Sequence, residues 1–204
     1  MLGGFRVKVY VAAAALVMVM PAVARAQTAE SPGDPLTRGR TEIGVGVGFG
    51  NAMHIWGGLP DSEFLTLGVD IGHVLTGPIF AGPCRGNLLI SGEFYPAIAF
   101  HENVGTTYAL STALIFRYHF TPGARVRPFI SAGAGIVLSD KPIPRNISRT
   151  NFTPQGGGGL TVAIRGNSLL SFEYRIHHMS DGILTTYNPG VNSNVFQVGF
   201  SWIH

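Results

Sequence analysis

Three residues near the C-terminus have types and spacing that could cleave an ester: His178, Ser180 and Asn192. From Leu170 to Ser180, alternate positions are Leu170, Phe172, Tyr174, Ile176, His178 and Ser180, set against Ser171, Glu173, Arg175, His177 and Met179. After the turn-rich Thr185–Gly190, Asn192, Asn194, Phe196, Val198, Phe200 and Trp202 alternate with Ser193, Val195, Gln197, Gly199 and Ser201. Each stripe is apolar and becomes polar only beside the shared loop. In an extended strand, His178 and Ser180 lie on one face, ~7 Å apart along the chain. A serine nucleophile needs a base to take its proton, and the base needs a third group to fix its tautomer. His178 and Asn192 could fill those two roles for Ser180. Because they end an apolar stripe, the bond within reach would be a lipid ester. The bland reading is that these are polar residues at the partly wet rim of a membrane protein. His177, of opposite parity, reads as an interior residue rather than a base.

The elements that must position this set are strands. Period-2 alternation recurs over Thr41–Gly50, Glu63–Thr76, Asn87–Pro96, Thr107–Phe120, Val126–Ser139 and Phe152–Ile164. With the two C-terminal strands the count is eight. The chain is 46% hydrophobic, holds 28 glycines and is only 12% charged, against ~25% for an ordinary soluble domain. The N-terminus carries a basic Arg6/Lys8 region, an apolar run over Val9–Met20 and a small-x-small site at Ala24-Arg25-Ala26. This is the pattern of a cleaved secretory signal peptide over residues 1–26. Residues 27–40, with Pro32, Gly33, Asp34 and Pro35, read as a flexible lead-in to a barrel over 41–204.

Export, low charge and alternating strands of ~10 residues predict an all-β fold, an eight-stranded antiparallel transmembrane β-barrel in a Gram-negative outer membrane. An antiparallel sandwich is the competing arrangement. Connection lengths favour the barrel. Thr121–Arg125 and Arg165–Ser168 are short, whereas Asn51–Ser62, Ala97–Thr106 and Asp140–Asn151 are long. Short periplasmic turns alternating with long external loops is the outer-membrane pattern, although Gly77–Gly86 is longer than it wants. The seventh strand then ends at the cell surface, which places His178, Ser180 and Asn192 at the outer rim. Glycines on the opposite face suit an eight-stranded interior just wide enough for side chains. Glu93, Arg117, Glu173 and Arg175 would pair there, leaving no porin-like channel. The net charge of +3 is spread along the chain, so nucleic acid is excluded as a partner. The single Cys84 can form no internal disulfide and reads as structurally neutral.

The motif His178-Met179-Ser180-Asp181-Gly182, then Asn188-Pro189-Gly190-Val191-Asn192-Ser193 and a terminal amphipathic strand, resembles the outer-membrane lipid A 3-O-deacylase (PagL-type) family. That family carries His-x-Ser-Asn followed by Asn-x-Gly-x-Glu. The resemblance is strongest over Glu173–Trp202 and extends loosely to Arg127–Gly135 and Phe152–Leu160. It implies Ser180 as nucleophile and His178 as general base on the barrel exterior. The reaction implied is hydrolysis of the 3-linked acyl chain of lipid A, with no metal or other cofactor. Two positions depart from the pattern. Asn192 stands where the family has its acid, so it can orient the imidazole but cannot stabilise imidazolium by charge. Asp181 stands where the family has an asparagine that donates to the oxyanion, and a carboxylate there would oppose the developing charge. Backbone N–H groups of Asp181 and Gly182 remain as donors, or Asp181 is protonated against lipid.

Two classes of function follow. One is an outer-membrane serine esterase acting on lipid A in lipopolysaccharide, with phospholipid as the variant substrate. The other is a catalytically degenerate, structural or adhesive small barrel. Expected partners are outer-membrane lipids, and the expected state is a monomer or weak homodimer.

Overall fold

The computed structural model describes residues 34–53, 62–102, 105–121, 123–144, 146–182, 184 and 190–204. The segment read as a signal peptide lies outside the described residues. Nine strand segments are present among the described residues: β1 Thr41–Met53, β2 Ser62–Val74, β3 Gly86–Glu102, β4 Gly105–Phe120, β5 Val126–Ser139, β6 Thr150–Phe152, β7 Gln155–Ala163, β8 Ser168–Met179 and β9 Val191–Ile203. They make eight staves, because β6 and β7 both pair with β5 and are one strand interrupted at Thr153-Pro154. Every neighbour is antiparallel, β1 pairs with both β2 and β9, and the β4–β5 pairing closes the ring. The result is the closed eight-stranded barrel the alternation predicts, which leaves no sheet edge open in lipid.

The alternation works because one face must meet hydrocarbon and the other a narrow core. Val47, Leu65, Ile71, Leu114 and Ile130 on the outer face are each more than half exposed. On the inner face, Arg175 reaches two carboxylates. Its Nη1 and Nη2 donate to Glu93 at 2.7 Å each, and its Nε donates to Glu173 at 2.7 Å. Arg117 Nη2 donates to Glu93 at 2.7 Å, the Tyr95 hydroxyl donates to Glu93 at 2.8 Å, and Gln197 donates to the Tyr95 hydroxyl at 2.8 Å. Ser131 binds Glu173 on the far side. One polar network thus ties β3, β4, β5, β8 and β9 across the interior. It supplies the mutual pairing without which buried charges would be strongly destabilising. Glycine is required where staves approach closely. A Cβ at Gly157 or Gly159 would overlap the carbonyl of Tyr174 or Phe172 on β8.

Two expectations are corrected. Ala97–Thr106 is not a long loop: β3 runs on to Glu102 and β4 begins at Gly105. The alternation breaks at Pro96 because a bulge sits there. Pairing with β4 jumps from Tyr95 to Ile98, and pairing with β2 jumps from Phe94 to Ala97. Proline has no N–H for the ladder and is accommodated at such a bulge. Beyond it Ile98 and Phe100 rejoin the inner face, 5% and 1% exposed.

The second correction concerns the lead-in, whose described part, 34–40, is anchored rather than loose. Leu36 packs with Val74, Leu89, Ala163, Leu169 and Ile203, closing one end of the barrel. Asp34 bridges Arg127 at 2.6 Å and accepts from the Gly123 N–H at 2.8 Å. Asn87 donates to the Leu36 carbonyl at 3.1 Å. The long 75–85 connection is also ordered, by the Ile79–Gly86 bridge, a 3-10 turn over Gly82–Cys84 and the Tyr118 hydroxyl donating to the Cys84 carbonyl at 2.7 Å.

Candidate functional site

The closing hairpin brings His178 and Asn192 directly opposite each other, on β8 and β9. The imidazole Nδ1 lies 2.6 Å from Asn192 Oδ1. An amide oxygen only accepts, so Nδ1 carries the proton, and in the neutral ring Nε2 then keeps its lone pair. That is the tautomer a general base needs. Asn192 is 1% exposed, so the bond is shielded from competing water.

Ser180 follows β8 and is bridged to Phe152 of β6, with Ser180 N–H donating at 3.1 Å and Phe152 N–H at 2.7 Å. Phe152 is 44% exposed on the outer face, and its partner Ser180 shares that face. His178 is held one step earlier, its N–H donating to the Pro154 carbonyl at 3.0 Å. Among the described residues no hydrogen bond joins Ser180 to His178. The structure therefore brings the imidazole and the amide together, with the hydroxyl two residues along the same outward face.

Asp181, next to Ser180 in the chain, is fully buried, and burial strengthens the repulsion an ionised carboxylate would exert on a nearby oxyanion. Gly182, exposed at φ 68°, turns the chain away just past Ser180. His177 faces the interior as its parity requires, with its ring 6.2 Å from that of Phe64.

Two contributors had no role at the level of sequence. Gly190, at φ 66°, lies against the imidazole, where an added Cβ would come 2.7 Å from His178 Cε1. It stood inside the motif, but only tertiary contact shows what it touches. The other is an open cleft of about 420 Å³ on the barrel wall, lined by Ala132, Pro154, Gly156, Ile176, His178 and Asn192 among others. Ala132 and Gly156 oppose each other across β5 and β7, in outward positions that Ile130 and Ile136 fill elsewhere on β5. Small residues at facing positions thus dent an otherwise bulky apolar wall. Among the described residues, no cluster of three or more His, Cys, Asp or Glu side chains is arranged to hold a metal ion.

The family model for lipid A 3-O-deacylase (PagL) matches residues 83–201, more than half of the chain. The crystal structure of the outer membrane enzyme PagL superposes with a TM-score of 0.55 at 19% identity, covering 78% of this chain and 98% of that one. Neisserial surface protein A superposes with a TM-score of 0.50 at 13% identity, covering 80% and 95%. No curated protein matches the chain in sequence. The two structural matches speak for an outer-membrane barrel. The family match spans β3 to β9, including the hairpin that pairs His178 with Asn192, and by it the chain belongs to the lipid A 3-O-deacylase (PagL) family.

Proposed function

We propose that this protein is a serine esterase that removes the 3-linked acyl chain of lipid A at the outer surface of its barrel. The observation that carries the reading is the 2.6 Å His178–Asn192 contact on the lipid-facing side, opening onto the cleft. His178 Nε2 takes the Ser180 hydroxyl proton as Oγ attacks the ester carbonyl carbon. Backbone N–H groups of Asp181 and Gly182, adjacent to Ser180, receive the developing oxyanion. As the tetrahedral species collapses, the bond to the sugar oxygen breaks and imidazolium returns its proton to that oxygen. Water, activated by the same imidazole, then releases the fatty acid from Ser180. The dent over Ala132 and Gly156, with Ile176 beside it, accepts the acyl chain, and its volume falls within the usual range for small-ligand sites.

The test is lipid A mass spectrometry from a Gram-negative host expressing either wild type or Ser180→Ala. Loss of one 3-hydroxyacyl unit in wild type alone is expected. An unchanged acyl pattern in wild type, or deacylation that survives Ser180→Ala, refutes the proposal. Loss of phospholipid acyl chains instead would reassign the substrate while keeping the chemistry.

A second reading, a catalytically idle barrel, is favoured by one observation, the lack of a Ser180–His178 hydrogen bond among the described residues. Hydrogen bonds of this kind often tighten only with substrate bound. The idle reading requires that His178→Ala leave both lipid A and ester hydrolysis unchanged.

A further inference from the structure

The two ends of the barrel carry different charge. At the end where the short turns and the lead-in lie, Arg38, Arg40, Arg85, Arg125 and Arg165 stand at the rim, four of them exposed and Arg40 half-buried. No exposed acidic side chain accompanies them among the described residues. Asp34 is taken up by Arg127, and Glu42 is 7% exposed and bound by Ser201. The opposite end is mixed, with Lys141 and Arg149 beside Asp140, Glu63 and Glu102.

The arginines are also evenly placed. The lead-in to β1 supplies Arg38 and Arg40, and each of the three short-end connections, β2–β3, β4–β5 and β7–β8, supplies one more. Two stave spacings separate most neighbours, roughly 10 Å of rim. Just inside this ring lies an aromatic layer. Phe80 is 74% exposed, at a φ of 60° that holds its ring outward beside Tyr118. Tyr118 meets Phe120 edge-on, and Trp202, 43% exposed, meets Phe200 edge-on. Exposed aromatic rings of this kind mark the membrane–water interface in outer-membrane barrels. Guanidinium groups immediately beyond them sit at the depth of lipid phosphates, which they match by paired N–H donors.

We infer that the short-turn rim of this barrel is a binding ring for anionic phospholipid headgroups of the periplasm-facing leaflet. The apolar wall already contacts that leaflet's chains, so the ring continues an interface the fold requires. It acts independently of His178 and Ser180, and anchors the barrel at fixed depth with its outer rim presented to the opposite leaflet. Attraction of this kind is electrostatic, short-ranged and weakened by salt.

The experiment uses the protein in phosphatidylcholine vesicles with trace spin-labelled phosphatidylglycerol or spin-labelled phosphatidylcholine, and measures the motionally restricted fraction of each. About threefold preference for phosphatidylglycerol at low salt is expected, falling towards onefold in ~0.5 M sodium chloride. The triple variant Arg38→Gln/Arg85→Gln/Arg165→Gln removes exposed residues that make no ion pair among the described residues, and it should lose most of the preference. Lys141→Gln/Arg149→Gln at the other end should keep it. Absence of preference in wild type, its survival in the triple variant, or its loss only in the Lys141/Arg149 variant overturns the inference. Displacement by inorganic phosphate at matched ionic strength would mark a free-anion site, and retention on purified cell-wall sacculi without lipid preference would mark a glycan-binding surface. Either result likewise overturns the lipid assignment. The salt titration on unmodified protein decides the matter even where a variant fails to fold.

Discussion

On the proposed mechanism, replacing Asn192 by aspartate should accelerate hydrolysis. In the wild-type site His178 Nδ1 donates to a neutral amide oxygen at 2.6 Å, in surroundings that leave Asn192 1% exposed. When His178 takes the Ser180 proton, the imidazolium meets only the amide dipole. Aspartate has the same chain length, so it preserves the contact while adding a charge. A hydrogen bond to a neutral partner contributes about 0.5–1.5 kcal/mol and one to a charged partner about 1.5–3 kcal/mol. The gain specific to the charged state is therefore about 1–1.5 kcal/mol, or about tenfold in kcat. The bare Coulomb attraction of two unit charges ~4 Å apart is about 4 kcal/mol at an effective dielectric of 20. Desolvating a carboxylate in a site this enclosed consumes much of that difference, so tenfold is the expectation and not a thousandfold. The assay is fatty-acid release from lipid A in mixed micelles, from about pH 5 to about pH 8. Asn192→Leu, which removes the acceptor and strands a buried N–H, should lower kcat by about tenfold to a hundredfold. A folded Asn192→Asp protein with unchanged or lower kcat would refute the claim that this residue orients the base.

Three further outcomes are expected. Gly190→Ala places a Cβ 2.7 Å from His178 Cε1 at φ 66°, so the imidazole must shift. The activity loss should be about a hundredfold, with about 1–2 kcal/mol of backbone strain, read by kinetics beside thermal unfolding. Gly156→Leu fills the dent beside Ile176 and His178; it should cut hydrolysis of long-chain lipid A by about tenfold while sparing a short-chain aryl ester. Equal losses on both substrates would argue against an acyl groove. Arg175→Met leaves Glu93 and Glu173 with Arg117 as their remaining guanidinium and should cost about 3 kcal/mol, seen as a lower urea midpoint in detergent. Specific activity of the folded fraction should hold, because the network lies across the wall from the site.

Much of the fold is legible along the chain because a barrel stave obeys a local rule, with hydrocarbon on one side and a narrow interior on the other. Parity alone assigns Phe172 and Ile176 outward and Glu173 and Arg175 inward, and the structure agrees at each. The rule fails where one residue breaks the period. At Pro96 the bulge shifts the count, so a continuous hairpin reads as a loop. It fails again at Leu36, where composition suggests a loose lead-in but a single buried side chain docks it on the barrel's end.

The sequence by itself determined the eight staves, the outward stripe on each and the presence of His178, Ser180 and Asn192 on that stripe, because period-2 alternation is a property of neighbours in the chain. Only the tertiary structure decided which atoms meet. The register of β8 against β9 sets the imidazole on Asn192, a positive-φ glycine brings Gly190 onto its ring, and β5 against β7 opens the dent beside it. Asp181, next to Ser180 in the chain, proves to be fully buried. These contacts depend on register and closure, which join residues distant in sequence and which no local period can specify.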